Sequence, residues 1–147
     1  MKILTQNLLS KDGGSEQPEL NYVNRKEDLF TLIKEIDPDI ICFQEVTTGW
    51  KKLLNDERFS EYRFVGEGRD GNGKGEHNPV CWKNGKYSLI SELTFWLSHT
   101  PEKVSKPLLA RMNRICTYAY LRDNESGCEF AIACTHLDHR SEFGRRK

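Results

Sequence analysis

Apolar residues run without polar interruption over residues 40–43, Ile-Ile-Cys-Phe, and this short stretch organises the pattern around it. A strand with one wet face alternates, so an unalternating run of this length predicts a strand covered on both faces, as in an α/β sheet. Pro38, just before it, lacks a backbone donor and ends the preceding helix. That helix is predicted over residues 24–36. Asn24 serves as its cap with Glu27 three residues on, and Leu29, Leu32, Ile33 and Ile36 make one apolar stripe. Farther upstream, Ile3, Leu4, Leu8 and Leu9 flank the polar Thr5, Gln6 and Asn7, a strand that turns polar toward its end. Strand, helix and strand together predict a βαβ unit with a right-handed crossover. Residues 11–21 contain Gly, Ser and Pro without a period and read as an exposed loop.

Beyond Glu45, Thr47 or Thr48 caps a predicted short helix carrying Trp50, Leu53 and Leu54, and residues 62–65 alternate as a strand. The pattern then breaks. Residues 66–79 hold five of the eleven glycines and read as a long flexible loop of the kind that is functional or disordered. Residues 80–83 and 86–89 flank Asn84-Gly85, which predicts an antiparallel hairpin closed by a type I′ turn. Further strands are predicted over residues 93–98, 114–121 and 128–134, the last two joined through turn residues 123–127. After Thr135, His136, Leu137, Asp138 and His139, Ser141 and Glu142 read as the start of a helix. The fold class is therefore α/β. The strands beginning at Ile3, Ile40, Val80, Ile115 and Phe130 are expected to share one mixed sheet, with the 24–36 helix on one face.

Composition narrows the function classes. A chain of 147 residues supports one core. Its 22 basic and 22 acidic side chains cancel, so no global field draws it to nucleic acid or an anionic membrane, and phosphate recognition has to be local. No apolar segment approaches membrane-spanning length, and the first residues lack the long apolar core of a signal peptide, so a cytoplasmic protein is expected. The cysteines, five in number and without CxxC spacing, read as reduced core residues.

Two residues stand where open α/β sheets place their chemistry, at the carboxyl ends of strands: Asn7 and Glu45. Taken alone, each also fits an ordinary polar residue closing a strand. Cys134, His136 and His139 suggest a zinc site, since positions 134 and 136 of a strand share a face, but no second Cys/His cluster completes four ligands.

Four stretches, in order along nearly the whole chain, resemble the endonuclease/exonuclease/phosphatase superfamily, the fold group of deoxyribonuclease I, apurinic endonucleases and inositol polyphosphate 5-phosphatases. Residues 2–8 (Lys-Ile-Leu-Thr-Gln-Asn-Leu) are similar to its first strand with a site asparagine, and residues 37–45 to its second with a metal-binding glutamate. Residues 66–80, with Arg69, Asp70, Gly75 and Glu76, resemble a stretch of a bacterial branch, which Phe95-Trp96-Leu97-Ser98 and Thr100-Pro101 continue. Residues 135–139 resemble the family's central histidine strand.

The resemblance implies one half of a four-layer, deoxyribonuclease I-like sandwich and a hydrolase of phosphodiester or phosphomonoester bonds. It implies Glu45 as ligand of Mg²⁺, with Mn²⁺ as a substitute, a hard cation that keeps several waters and takes one or two carboxylates. It implies Asn7 as a positioner of metal-bound water or phosphate, and Glu76 orienting His136 as an imidazolium that contacts the scissile phosphate. Asp138 and His139 follow the family's pattern. Arg114, favoured over Arg69 and Arg111, is the arginine expected to clamp phosphate oxygens.

Family members carry a Gly-Asp-x-Asn motif, a further aspartate and a closing Asp-His pair after the histidine strand, and none of these can be placed here. The chain is accordingly expected to be a C-terminally truncated domain that self-associates through an uncovered sheet face. Alone, it is expected to bind Mg²⁺ weakly and to hydrolyse a generic substrate no faster than a Glu45→Ala variant. The expected substrate is a phosphorylated small molecule or single-stranded nucleic acid. The alternative function is a non-catalytic phosphate-binding scaffold.

Overall fold

The computed structural model describes residues 1–9, 22–106 and 110–137. Among these residues, seven strands and two α-helices follow in order, with one 3-10 turn (Glu57–Phe59) between α2 and β3: β1 (Ile3–Asn7), α1 (Tyr22–Ile36), β2 (Ile40–Gln44), α2 (Thr48–Leu54), β3 (Tyr62–Val65), β4 (Val80–Lys83), β5 (Tyr87–Trp96), β6 (Ile115–Asp123) and β7 (Glu129–Thr135). The loop expected over residues 11–21, the helix expected from Ser141, and Asp138 and His139 lie outside the described residues.

β2 is the hub. It pairs parallel with β1 and antiparallel with β4, within a four-stranded sheet ordered β1-β2-β4-β3. Ile40, Ile41 and Phe43 are fully buried because successive side chains enter two different cores. Ile41 and Phe43 pack with Leu29 and Ile33 of α1, with Trp50, Leu53 and Leu54 of α2, and with Phe59 and Tyr62. Ile40 and Cys42 face the other way, onto Val80, Trp82, Tyr87, Ala119, Leu121 and Cys134. The layers are helices, first sheet, second sheet.

The second sheet corrects the expectation of a single one. β5, β6 and β7 form a separate antiparallel sheet, so the strands beginning at Ile3, Ile40 and Val80 lie in one sheet and those beginning at Ile115 and Glu129 in another. The Asn84-Gly85 hairpin is also not formed. β4 already has β2 on one edge and β3 on the other, so β5 finds no free edge there and pairs with β6 instead. Gly85 still adopts a left-handed conformation (φ 82°), but it turns the chain from one sheet to the other. β5 is one strand over Tyr87–Trp96 where two were expected. Its ladder with β6 shifts register between Leu89 and Ser91, a bulge that breaks the alternation along the sequence.

α1 begins two residues ahead of the expected cap, because Tyr22 packs edge-on against Trp50 with ring centroids 5.0 Å apart. It ends as Pro38 requires: Asp37 turns left-handed (φ 49°) and donates its N–H to the Ile33 carbonyl at 2.8 Å. All five cysteines are free, with Cys42, Cys81, Cys116 and Cys134 buried and Cys128 exposed. Among the described residues, no helix is long and apolar enough to cross a membrane.

Candidate functional site

The parallel pairing of β1 and β2 sets their carboxyl ends side by side, with Asn7 opposite Gln44. Asn7 Nδ2 donates to Glu45 Oε1 at 2.8 Å, while Asn7 Oδ1 accepts the Leu9 backbone N–H, also at 2.8 Å. Both ends of the amide are thus engaged, and the side chain acts as a bracket that orients the Glu45 carboxylate. Glu45 itself sits at φ 59°, a left-handed conformation costly for any residue with a Cβ. Its neighbours enforce that geometry. Leu8 N–H bonds to the Gln44 carbonyl (3.0 Å), and Val46 exchanges two backbone bonds with His77 (3.1 and 2.9 Å).

His136 follows β7 and comes to the same place, its Nε2 lying 4.0 Å from Glu45 Oε1. Asn78 ties this residue to the glycine-rich segment: its amide donates to the His77 carbonyl (3.1 Å) and accepts the His136 backbone N–H (3.3 Å). Arg114, just before β6, is buried. Among the described residues, Arg114 Nε and His136 Nδ1 are buried side-chain atoms without a hydrogen-bond partner. Buried polar atoms rarely go unpaired, and two at one place mark a site that a ligand's polar atoms would complete.

Asn7, Glu45 and His136 therefore converge, as the motif order anticipated. Glu76 behaves differently. Its carboxylate pairs with Arg69 (Nη1 to Oε2, 2.5 Å) instead of orienting His136, whose Nδ1 has no partner. The guanidinium wins because it is a permanent charge close to the same strand-like turn: Arg69 N–H also bonds the Glu76 carbonyl at 3.0 Å. The His136 pKa moves accordingly. Burial lowers it below the usual histidine value, the Arg114 and Arg69 charges push the same way, and Glu45 and Glu76 only oppose them. Neutral imidazole is favoured over the imidazolium expected from a carboxylate partner.

The glycine-rich stretch is not a structureless loop. Gly71, Gly73 and Gly75 are all left-handed, and Gly68 and Val46 both bridge to His77. Glu67 Oε1 accepts the N–H groups of Gly68 (2.7 Å) and Gly73 (2.6 Å), and buried His77 faces Lys51 Nζ at 3.3 Å through Nε2. Sequence reasoning passed over His77 and Asn78. The signal available was their place directly before Pro79 and the buried start of β4, where a polar residue has to find a partner inside.

Cys134 is not presented toward His136. Its thiol donates to the Phe43 carbonyl (3.2 Å) between the sheets. Among the described residues, no group of three or more His, Cys, Asp and Glu side chains is placed to hold a metal. Glu45 remains as a single carboxylate, 15% exposed in its side chain.

The family model described as Endonuclease/Exonuclease/phosphatase family matches residues 4–118. No curated protein matches the chain by sequence. Among solved structures, an endonuclease/exonuclease/phosphatase family protein of Bacteroides thetaiotaomicron superposes with TM-score 0.91 at 28% identity, covering 99% of this chain and 54% of that one. A mannosyl-6-phosphatase of the same organism gives 0.90 at 28% identity, with 99% and 54% covered. A family protein of Bacteroides vulgatus gives 0.86 at 29%, with 98% and 54% covered. The chain thus spans about half the length of these structures.

Proposed function

Because this chain belongs to the endonuclease/exonuclease/phosphatase family, we propose that the cluster of Asn7, Glu45, Arg114 and His136 is the phosphate-binding and metal-binding part of a phosphoester hydrolase site. The observation that carries the reading is the oriented, strained Glu45 carboxylate beside two buried nitrogens, Arg114 Nε and His136 Nδ1, that lack partners. Its donor set suits Mg²⁺ or Mn²⁺: one hard carboxylate, fixed by an amide, leaves room for the waters that Mg²⁺ keeps. When bound, such a cation would neutralise phosphoryl charge and lower the pKa of a coordinated water.

The chain's own residues supply the rest. Arg114, permanently charged and held out of bulk water, directs N–H groups at phosphoryl oxygens where each contact is worth more than in solvent. Neutral His136 offers a ring N–H as a donor to the same group without repelling the nearby guanidinium, and its second nitrogen remains basic enough to accept a proton. Asn7 keeps the carboxylate from rotating. The mannosyl-6-phosphatase among the structural relatives favours a phosphorylated small molecule over single-stranded nucleic acid as the substrate.

The test pairs a Mn²⁺ titration, followed by electron paramagnetic resonance, with hydrolysis of p-nitrophenyl phosphate and bis-p-nitrophenyl phosphate under chelator control. Wild type is expected to bind Mn²⁺ and Glu45→Gln to bind it more weakly by tenfold or more, roughly the loss known for ligand-shell changes. Whatever turnover the chain supports should vanish with chelator and in the variant. Unchanged Mn²⁺ affinity in Glu45→Gln, or turnover that resists chelation, would refute the assignment.

A further inference from the structure

We propose that Cys42 and Cys134 are a redox-active pair: a hydroperoxide converts the two thiols into a disulfide that fastens the first sheet to the second, a few residues ahead of Glu45 and His136. The inference concerns side chains that the phosphoester reading leaves unused, and it stands or falls apart from that reading.

Four of the five cysteines are buried, yet only these two share a core. Cys81 lies on the helix side of the first sheet. Cys116 stands opposite Thr135 in the ladder of β6 and β7 while Cys134 stands opposite Thr117, so those two cysteines leave the second sheet on different faces. Cys42 points from β2, and Cys134 from β7, into the layer between the sheets, where their thiols are hydrogen-bond partners. Facing sheets ordinarily stand about 10 Å apart, but β2 and β7 bring Cα atoms within 8 Å of each other. Specific bonds hold them there. Cys134 Sγ meets the Phe43 carbonyl at 3.2 Å, and Gln44 Nε2 donates to Cys134 Sγ at 3.4 Å and to the Cys42 carbonyl at 3.2 Å. A disulfide spans Cα atoms about 4.4–6.8 Å apart, so it asks only for a small closure between strands already bound together.

A buried cysteine is ordinarily a small hydrophobic side chain. Here the sulfurs face each other, and one of them is within reach of solvent. Cys42 keeps 7% of its surface exposed against 2% for Cys134 and none for Cys81, so a molecule little larger than water meets Cys42 first. The Cys134 thiol beside it also holds the Cys42 thiol below its ordinary pKa against the opposing effect of burial, which raises the thiolate fraction. The Cys42 thiolate attacks one peroxide oxygen, the O–O bond breaks, and the departing oxygen takes up the thiol's proton, leaving a sulfenic acid on Cys42. The Cys134 sulfur then attacks the Cys42 sulfur, the S–O bond breaks, and hydroxide leaves as water with the Cys134 proton. The two thiols lose two electrons and two protons, and hydrogen peroxide becomes two molecules of water. The Gln44 N–H aimed at Cys134 Sγ favours the negative charge that the second attack needs.

The bond joins the strand that leads to Glu45, three residues beyond Cys42, to the strand that leads to His136, two beyond Cys134. It closes a loop of about 90 residues, which removes much of the freedom of the unfolded chain.

The experiment treats the folded full chain with hydrogen peroxide, quenches with catalase, blocks remaining thiols with N-ethylmaleimide in denaturant, and maps peptides by mass without reduction. Trypsin is combined with a protease that cuts after Glu, because Glu129 separates Cys128 from Cys134. A peptide pair joined through Cys42 and Cys134, lighter by two hydrogens, is expected, with Cys81 and Cys116 carrying maleimide. Oxidation should raise the urea midpoint by about 1 M or more, and dithiothreitol should return it to the starting value. In Cys134→Ala the same treatment should leave a sulfenic acid on Cys42, trapped by dimedone. The wild-type map decides even where that variant does not fold. A disulfide between any other two cysteines, or no Cys42–Cys134 bond once exposed Cys128 is fully oxidised, would overturn the proposal. So would a midpoint that falls on oxidation, since the bond would then force the sheets out of their native packing.

Discussion

Glu45 offers a test in which backbone strain and function are measured apart. At φ 59° its backbone occupies a region where a Cβ crowds the following carbonyl, at a cost of roughly 1–2 kcal/mol that glycine escapes. Replacing Glu45 by Ala and by Gly removes the same carboxylate and the same 2.8 Å bond from Asn7, so the comparison between the two variants isolates the Cβ. Glycine also frees the unfolded chain, which takes back roughly 0.5–1 kcal/mol. The balance leaves Glu45→Gly more stable than Glu45→Ala by about 1 kcal/mol. With a urea m-value of about 2 kcal/mol/M, the midpoints should differ by about 0.5 M, and the melting temperatures by roughly 2–4 °C. Exposed Glu92, inside β5, is the control, since there the order should reverse and Ala should exceed Gly. Both Glu45 variants should bind Mn²⁺ poorly. Equal midpoints, or Ala above Gly at position 45, would refute the claim that strain is stored there.

Three further outcomes follow from the same geometry. Asn7→Ala should keep the fold but lose roughly tenfold or more in Mn²⁺ affinity, because the bracket on Glu45 Oε1 is gone; unchanged affinity would show that the carboxylate orients itself. Gly68→Ala would set a Cβ 2.0 Å from the Lys74 carbonyl oxygen and 2.9 Å from His77 Cε1, so the turn has to move and stability should fall by about 1–3 kcal/mol in urea, whereas an intact midpoint would show the segment to be slack. Burial and the Lys51 charge hold His77 below its ordinary 6.5, so the folded protein resists a proton that the unfolded chain accepts. Its stabilising share is complete above about pH 6.5 and drains away as pH falls below that value. His77→Gln should therefore lose less stability than wild type between about pH 7.5 and about pH 5, and parallel urea profiles would disprove it.

Much of the first sheet was legible because its demands are local. An unalternating run at residues 40–43 requires cover on both faces, and both covers exist, with Ile41 and Phe43 under the helices and Ile40 and Cys42 under the second sheet. What covers the second face was not legible, since a helix stripe and a sheet face present the same apolar demand to a strand. Asn84-Gly85 shows the same limit from the turn's side. The dipeptide specifies a reversal with positive φ, and a strand whose edges are both taken turns that reversal into a passage between sheets.

For the site, what the sequence carried was position along strands, and what it lacked was competition between partners. Asn7, Glu45 and His136 each end a strand, and parallel pairing of β1 with β2 is enough to bring the first two within a hydrogen bond. Glu76 had two possible cations within reach, and only the folded turn puts Arg69 closer than His136. Glycine density likewise reads as freedom in a sequence, yet Gly71, Gly73 and Gly75 spend theirs on left-handed turns that let Glu67 and His77 bind the segment down. The left-handed Glu45 is the converse case. A position whose backbone favours glycine but holds a carboxylate trades stability for a charge aimed at a ligand, and that trade is invisible until the dihedral angle is known.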